Sequence, residues 1–253
     1  MLSADDAEQL ARRVLEQRFA GADAGFAAGS IIRGEATPLS DLDLVVLYER
    51  LPNARRESFM FEGTPVEAFI QDGETLRWVM NADREAGKPG HISMVCEGRI
   101  VGPRQDGAQE CQTSARAMMS RGPAALKTEQ LDQFRYHITG RVEDLRDPRD
   151  ADEVIATGAW LYAALAEFIP RANGAWAGTG KWIPRSLRAL DAGLEGEFAK
   201  AFDALFAGRD PGPVIIFAEK ALAPFGGLLF DGYESQMPAS SRLAGSEPLP
   251  RDR

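Results

Sequence analysis

The stretch AAGSIIRGEATPLSDLDLVVLYER, residues 27–50, decides the fold. Its small-residue turn, Gly29-Ser30, closes an apolar run expected as a strand over Gly25–Gly29. Ten residues separate Ser30 from Asp41, and Asp41 and Asp43 open a second expected strand, Leu42–Tyr48. Side chains at i and i+2 of a strand share a face, so the two carboxylates stand side by side, their Cα atoms roughly 7 Å apart. Carboxylates that close repel each other unless a cation lies between them. An all-oxygen ligand set suits Mg²⁺, which takes one or two protein carboxylates and fills its shell with phosphate and water. Glycine in the turn lets backbone amides approach a phosphate with no Cβ in the way.

A third acid, Glu67, sits in TPVEAFI (residues 64–70), where Pro65–Ile70 is expected as the next strand. A charge inside so apolar a run is costly to bury unless it is paired or bound to metal. If that strand neighbours the first two, three carboxylates converge on one rim. Such a set can hold two divalent ions, which clamp the attacking and leaving oxygens of a phosphoryl displacement. The alternatives are a solvated acid pair after a loop and a strand-edge Glu67 facing water.

Outward from this segment the chain changes character. Ser3–Phe19 is expected as a helix capped by Ser3, with Ala7, Leu10, Ala11, Val14 and Leu15 on one face. The turn PNARRESFMFEGT carries a short strand at Phe59–Glu62, Thr75–Glu85 reads as a helix, Ile92–Cys96 as a strand, and Gln105–Ser120 as a helix. After Gly122-Pro123 every segment reads helical. Leu131, Phe134, Ile138, Val142 and Leu145 form one apolar seam, and Val154 through Phe168 a second that stops near Pro170. Leu187–Leu190, Leu194–Leu205 and Val214–Leu222 continue the series. The expected class is α+β: an α/β domain with a mixed sheet over residues 1–121, a helical bundle over 122–233, and a disordered tail over 234–253, rich in proline and serine.

The run GS…RGEAT…SDLDLVV with a later third acid resembles the nucleotidyltransferase domain of the DNA polymerase β superfamily. It is similar to its minimal members, including kanamycin and streptomycin nucleotidyltransferases, which also place a helical domain after the α/β one. The specific match covers residues 25–70; the helical half matches only in kind. The resemblance implies that Gly29, Ser30 and Ser40 hold the nucleotide, that Asp41 and Asp43 bind Mg²⁺, and that Glu67 is the third acid. It implies transfer of a nucleoside monophosphate, AMP from ATP, to an acceptor hydroxyl with release of pyrophosphate. Glu67 would complete the metal site or take the acceptor proton, and the helical domain would choose the acceptor. Two rivals stay open: a protein-modifying transferase of the antitoxin type, and a nucleotide-binding regulator without catalysis.

Other residues carry weaker signals. GTGKWIPRSL places Lys181 after a glycine pair at the start of an expected helix, where a lysine suits an anion. It is no phosphate loop of the Walker kind, since Trp182 stands in the Ser/Thr place and no strand precedes it. Lys181 and Arg33 are candidates for phosphate contact, against the alternative of solvated cations. Glu35 is a candidate cleft acid, against the commoner reading of a solvent-facing loop glutamate. Arg135 and Arg141 read as paired structural arginines, against substrate contacts, and Trp160, Trp176 and Trp182 as bundle core, against the lining of an acceptor pocket. His91 and His137 lack a serine or cysteine partner for a triad.

Composition sets the outer bounds. The 253 residues carry 29 basic and 38 acidic side chains, a net charge of −9, which argues against a general nucleic-acid binder and favours encounter with a cationic acceptor. Apolar residues at 44% and charged residues at 26% suit a soluble globular chain. Cys96 and Cys111, with no C-x-x-C, read as two reduced thiols in a cytoplasmic protein, acting as a monomer or homodimer. The N-terminal residues lack the basic and apolar regions of a signal peptide.

Overall fold

In the computed structural model, residues 2–237 are described; from residue 238 on, the expected disordered tail lies outside them. The chain packs as two units, one of Met1–Ala125 with Ala166–Ala192, the other of Leu126–Leu165 with the described residues from Gly193.

The first unit opens with α1 (Ala4–Arg18), where Ser3 accepts from the Asp6 amide and Asp6 reaches back to the Ser3 amide. This capping box satisfies two of the donors that a helix start leaves unpaired. Five strands follow: β1 (Ala24–Ala28), β2 (Leu42–Tyr48), β3 (Arg55–Phe61), β4 (Thr64–Asp72) and β5 (Arg99–Val101). Their order is β3-β4-β2-β1-β5. The sheet is mixed, because β2 and β4 run parallel while the other pairs are antiparallel. A four-residue helix, α2 (Gly29–Ile32), leaves the end of β1.

Alternation along the strands feeds two cores. Leu42, Leu44, Val46, Val66, Ala68 and Ile70 pack with α1 on one face. Val45, Leu47 and Phe26 meet α3 (Gly73–Ala86), α4 (Gly90–Glu97) and α5 (Asp106–Arg121) on the other. Burial raises the pKa of both Cys96 and Cys111, which are free thiols at that second core.

Two sequence expectations are corrected here. Residues Ile92–Cys96 are helical, within α4, and not a strand. The Asp83 carboxylate accepts from the amides of His91 (2.6 Å) and Ile92 (3.1 Å), which caps a helix start that sequence periodicity does not reveal. Ile92 and Val95, three apart, then face the core. The strand expected at Phe59–Glu62 begins instead at Arg55 and ends at Phe61. Glu62 (φ 48°) and Gly63 (φ 79°) form a two-residue turn with both φ positive, which matches strand twist and fixes a full hairpin from Arg55↔Ile70 to Phe61↔Thr64.

The second unit is built from α6 (Thr128–Arg146), the first part of α7 (Ala151–Ala172), α9 (Ala192–Gly208) and α10 (Gly212–Leu222). The seam residues Ile138, Val142 and Leu145 are buried with Leu161, Leu165, Phe202, Leu205 and Val214. Tyr162, Phe198 and Phe202 form an aromatic cluster with centroids 4.7–4.9 Å apart. Arg135 donates to the carbonyls of Gly226 and Gly227, a structural role. The helix expected to stop near Pro170 runs on to Ala172, where Asn173 closes it by donating its amide and side chain to the Ile169 carbonyl. Among the described residues no helix is long and apolar enough to cross a membrane.

Residues Ala166–Ala192, though inside the helical stretch of the sequence, belong to the first unit. Arg171 explains much of this. It is 4% exposed, and its guanidinium donates to the Ala124 carbonyl at 2.9 Å and the Glu85 carbonyl at 3.1 Å. Lys88 pairs with Glu167 at 2.7 Å, the Ala177 amide donates to the Gly87 carbonyl, and Trp176 Nε1 donates to the Met119 carbonyl. Three short contacts and one buried cation stitch the segment in place. Arg171→Met keeps the apolar stem but leaves the Ala124 and Glu85 carbonyls without their charged donor, so it lowers unfolding free energy by roughly 1–3 kcal/mol in a urea titration.

Candidate active site

Strand register brings the acids together, all within the first unit. β1 and β2 align Ala28 with Asp43, and β2 and β4 align Asp43 with Glu67. Asp43 shares its face with Val45 and Leu47, and Glu67 shares that same face with Phe69. Asp41 stands just before β2, so the three acids collect where β2 and β4 begin and β1 ends. Each offers a carboxylate oxygen within 4.8 Å of the other two. The donor set is oxygen only and triply anionic when ionised, which fits a hard divalent cation.

Electrostatics make this rim unfavourable on its own. The Asp43 pKa is raised to about 6, first by burial and then by the charges of Asp41 and Glu67. The charges of Arg33 and Lys181 act in the opposite direction. Lys181, on a 3-10 turn over Gly180–Trp182 ahead of α8 (Ile183–Leu190), thus lies within electrostatic reach of Asp43.

Gly29 has φ +86°, a left-handed conformation that side chains disfavour. A Cβ there would lie 2.1 Å from Asp43 Oδ2, so glycine is required both by the backbone and by the close approach of the carboxylate. Ser30 and Ser40 meet directly, the Ser30 hydroxyl donating to Ser40 Oγ at 3.0 Å. Ser40 Oγ also accepts from the Thr37 amide at 2.8 Å. The loop between the glycine turn and the acid pair is therefore closed on itself by the two serines.

Several residues near the rim have contacts that their favoured sequence readings did not anticipate. Glu35, read as solvent-facing, accepts from Arg185 at 2.7 Å and from Arg33 at 3.4 Å. Burial works against its charge, yet the guanidiniums of Arg185 and Arg33 hold its carboxyl below the usual range. Trp182, read as bundle core, is 38% exposed, and the guanidiniums of Arg33 and Arg185 lie 4.7 and 4.6 Å from its ring centroid. Trp160 and Trp176 are also outside the bundle core: Trp160 is 42% exposed beneath Arg141, and Trp176 belongs to the first unit. Arg56 on β3 pairs with Glu67. RRESFMF carries no charged–apolar alternation that marks Arg56; only the observed strand, starting at Arg55, places it beside β4. His91 Nδ1 lies 3.3 Å from Asp83, and its ring meets the Phe69 ring edge-on at 5.4 Å.

Residues 9–89 match the family model of the nucleotidyltransferase domain. That span contains the three acids, Gly29, Ser30, Arg33, Ser40 and Arg56, and ends before Lys181 and Arg185. The match supports a transferase, and the acid triad is compatible with metal-dependent nucleotidyl transfer. Among solved structures the chain is similar to a nucleotidyltransferase-like protein from Exiguobacterium sibiricum 255-15. The two share 18% identity over 86% of this chain and 74% of that one, with a TM-score of 0.47. No curated protein matches the chain.

The raised Asp43 pKa carries a stability consequence for the metal-free protein. Between about pH 4 and about pH 6 the folded state binds more protons than the unfolded chain, so stability falls as pH rises through that window. Asp43→Asn removes the penalty. In chelator at pH 7 the variant is expected to be about 1–3 kcal/mol more stable than wild type, with no gain at pH 3.5, read from denaturant unfolding at both pH values.

Proposed function

We propose that this chain transfers AMP from ATP to a hydroxyl of a small cationic acceptor, releasing pyrophosphate. The observation that carries the reading is the parallel register of β2 and β4, which sets Glu67 beside Asp43 and, with Asp41, gathers three carboxylates within 4.8 Å. The match of residues 9–89 supports the reaction class, and the choice of ATP follows the resemblance to minimal nucleotidyltransferases. The net charge of −9 favours encounter with a cation over a nucleic acid.

In this reading Asp41, Asp43 and Glu67 hold Mg²⁺, with room in the donor set for two ions. Bound Mg²⁺ would supply positive charge to phosphate oxygens and lower the pKa of an attacking hydroxyl. Gly29 keeps the Asp43 carboxylate free of steric obstruction. Ser30 and Ser40 present hydroxyls in the loop that faces the nucleotide, and Arg33 and Lys181 offset the negative charge of the triphosphate. Glu67 either completes the metal ligands or takes the acceptor proton on a carboxylate oxygen.

Incubation with α-labelled ATP, Mg²⁺ and a panel of small hydroxylated amines and proteins tests the reading. Label on a small molecule with stoichiometric pyrophosphate supports it. Label on protein transfers the assignment to a protein-modifying enzyme, and nucleotide binding without pyrophosphate overturns catalysis. Asp41→Asn or Asp43→Asn is expected to abolish most turnover. Glu67→Gln is expected to lower kcat by ~10² or more with a modest loss of Mg-ATP affinity, the pattern of an interaction made mainly in the transition state.

Glycine variants separate backbone strain from close approach. Gly29 and Gly34 both have positive φ, but a Cβ at Gly34 meets nothing within 4 Å. Gly29→Ala is expected to weaken Mn²⁺ binding about tenfold or more, by displacing Asp43, whereas Gly34→Ala leaves it near wild type in calorimetric titrations.

A further inference from the structure

The pairing of Arg56 with Glu67 is not explained by the fold. β3 is an edge strand, and its register sets Ser58 opposite Glu67 and Arg56 opposite Phe69. Arg56 therefore reaches diagonally along the sheet to Glu67, where its Nη2 donates to Oε1. Its guanidinium also lies over the Phe69 ring, 5.1 Å from the centroid. The two contacts aim the cation at the carboxylate from a fixed base. The Arg56 side chain is 60% exposed and that of Glu67 21%, so the carboxylate is the more enclosed partner. An exposed arginine pair on an edge strand contributes little to stability. The neighbouring Arg55, by contrast, pairs with Glu57 on its own strand at 2.9 Å, away from the acids.

We propose that Arg56 is a positioning residue that holds Glu67 in reserve, competing with a divalent cation for the third carboxylate. The proposal rests on the reading of Asp41, Asp43 and Glu67 as the metal ligands. Without a cation of its own, Glu67 would add a third negative charge beside Asp41 and Asp43. Arg56 neutralises that charge, while among the described residues no side chain forms an ion pair with Asp41 or Asp43. A divalent ion that takes Glu67 must displace the guanidinium, and the displaced cation then needs another anion. A polyphosphate at the rim provides one. The consequence is that metal alone binds weakly and metal with nucleotide binds well, so the ligand set completes only when substrate is present. The step is an exchange of ionic partners: the Arg56–Glu67 hydrogen bond is given up and no covalent bond changes.

The test is calorimetric titration of the full chain with Mn²⁺ alone, for wild type, Arg56→Gln, Arg56→Lys, Arg55→Gln, Glu67→Gln and the Arg56→Gln/Glu67→Gln double variant. Arg56→Gln is expected to bind Mn²⁺ about two- to fivefold more tightly than wild type, the scale of one partly exposed ion pair. Arg56→Lys, which keeps the charge, returns toward wild type. Arg55→Gln removes the same charge from the same strand and leaves affinity unchanged. In the Glu67→Gln background the Arg56 substitution has no further effect, because the contested carboxylate is gone. Unchanged or weaker binding in Arg56→Gln overturns the proposal. So does an equal gain in the Glu67→Gln background, which would mark a general field effect. If Mn²⁺ binds wild type or Arg56→Gln saturably and adding Asp43→Asn removes it, the metal reading stands whatever Arg56 does; if neither wild type nor Arg56→Gln binds it, both fall.

Discussion

Three carboxylates held within 4.8 Å of one another form the constraint on which the rest of the first unit depends. Such a group is unfavourable in a folded protein: the Asp43 pKa is raised, first by burial and then by the charges of Asp41 and Glu67. The sheet imposes it regardless. Asp43 and Glu67 lie in the same register of two parallel strands, flanked by buried Leu42, Leu44, Val45 and Val46 on β2 and by Val66, Ala68 and Ile70 on β4. A one-residue slip would turn those apolar side chains to the wrong face, so packing of the two cores fixes the acids in place. Hydrophobic burial thus sustains a local electrostatic conflict that a bound cation would relieve.

Cations around the rim moderate the conflict from three directions. Arg56 answers Glu67 across the hairpin, while Arg33 and Lys181 act on Asp43 from α2 and from the turn before α8. Arg33 and Arg185 are in turn held by Glu35 and by the Trp182 ring, so the positive groups have their own support. Lys181, Trp182 and Arg185 come from a segment more than a hundred residues away in sequence. They reach the first unit because Arg171 anchors that segment to the Ala124 and Glu85 carbonyls. A buried arginine with a structural role is therefore what brings the distant cations to the acids.

Legibility in the sequence followed the range of the forces involved. The helix at Ala4–Arg18 announces itself through Ser3 and a regular apolar face, and β2 through the apolar run Leu44–Leu47 that follows Asp43. Glu67 was visible because a charge inside an apolar strand is conspicuous. The segment Ile92–Cys96 misled, since a short apolar run reads equally as strand or helix. Its state was settled by the Asp83 carboxylate, eight residues before His91, accepting the first amides of α4. The start of β3 was hidden for a similar reason: its charged residues lack strand propensity and pair only because the Glu62-Gly63 turn aligns them with β4.

The sequence by itself determined the acids, the glycine ahead of them and the two-part character of the chain. Each depends on local pattern: alternation along a strand, φ freedom at one residue, and three- and four-residue spacing in helices. Tertiary structure alone decided which side chains answer those acids. Arg56, Glu35, Trp182 and Arg185 are ordinary surface residues until strand register and the return of Ala166–Ala192 bring them to the rim. Ion pairs and cation–ring contacts act over a few ångströms in space and carry no period along the chain, so no reading of the chain alone can assign their partners.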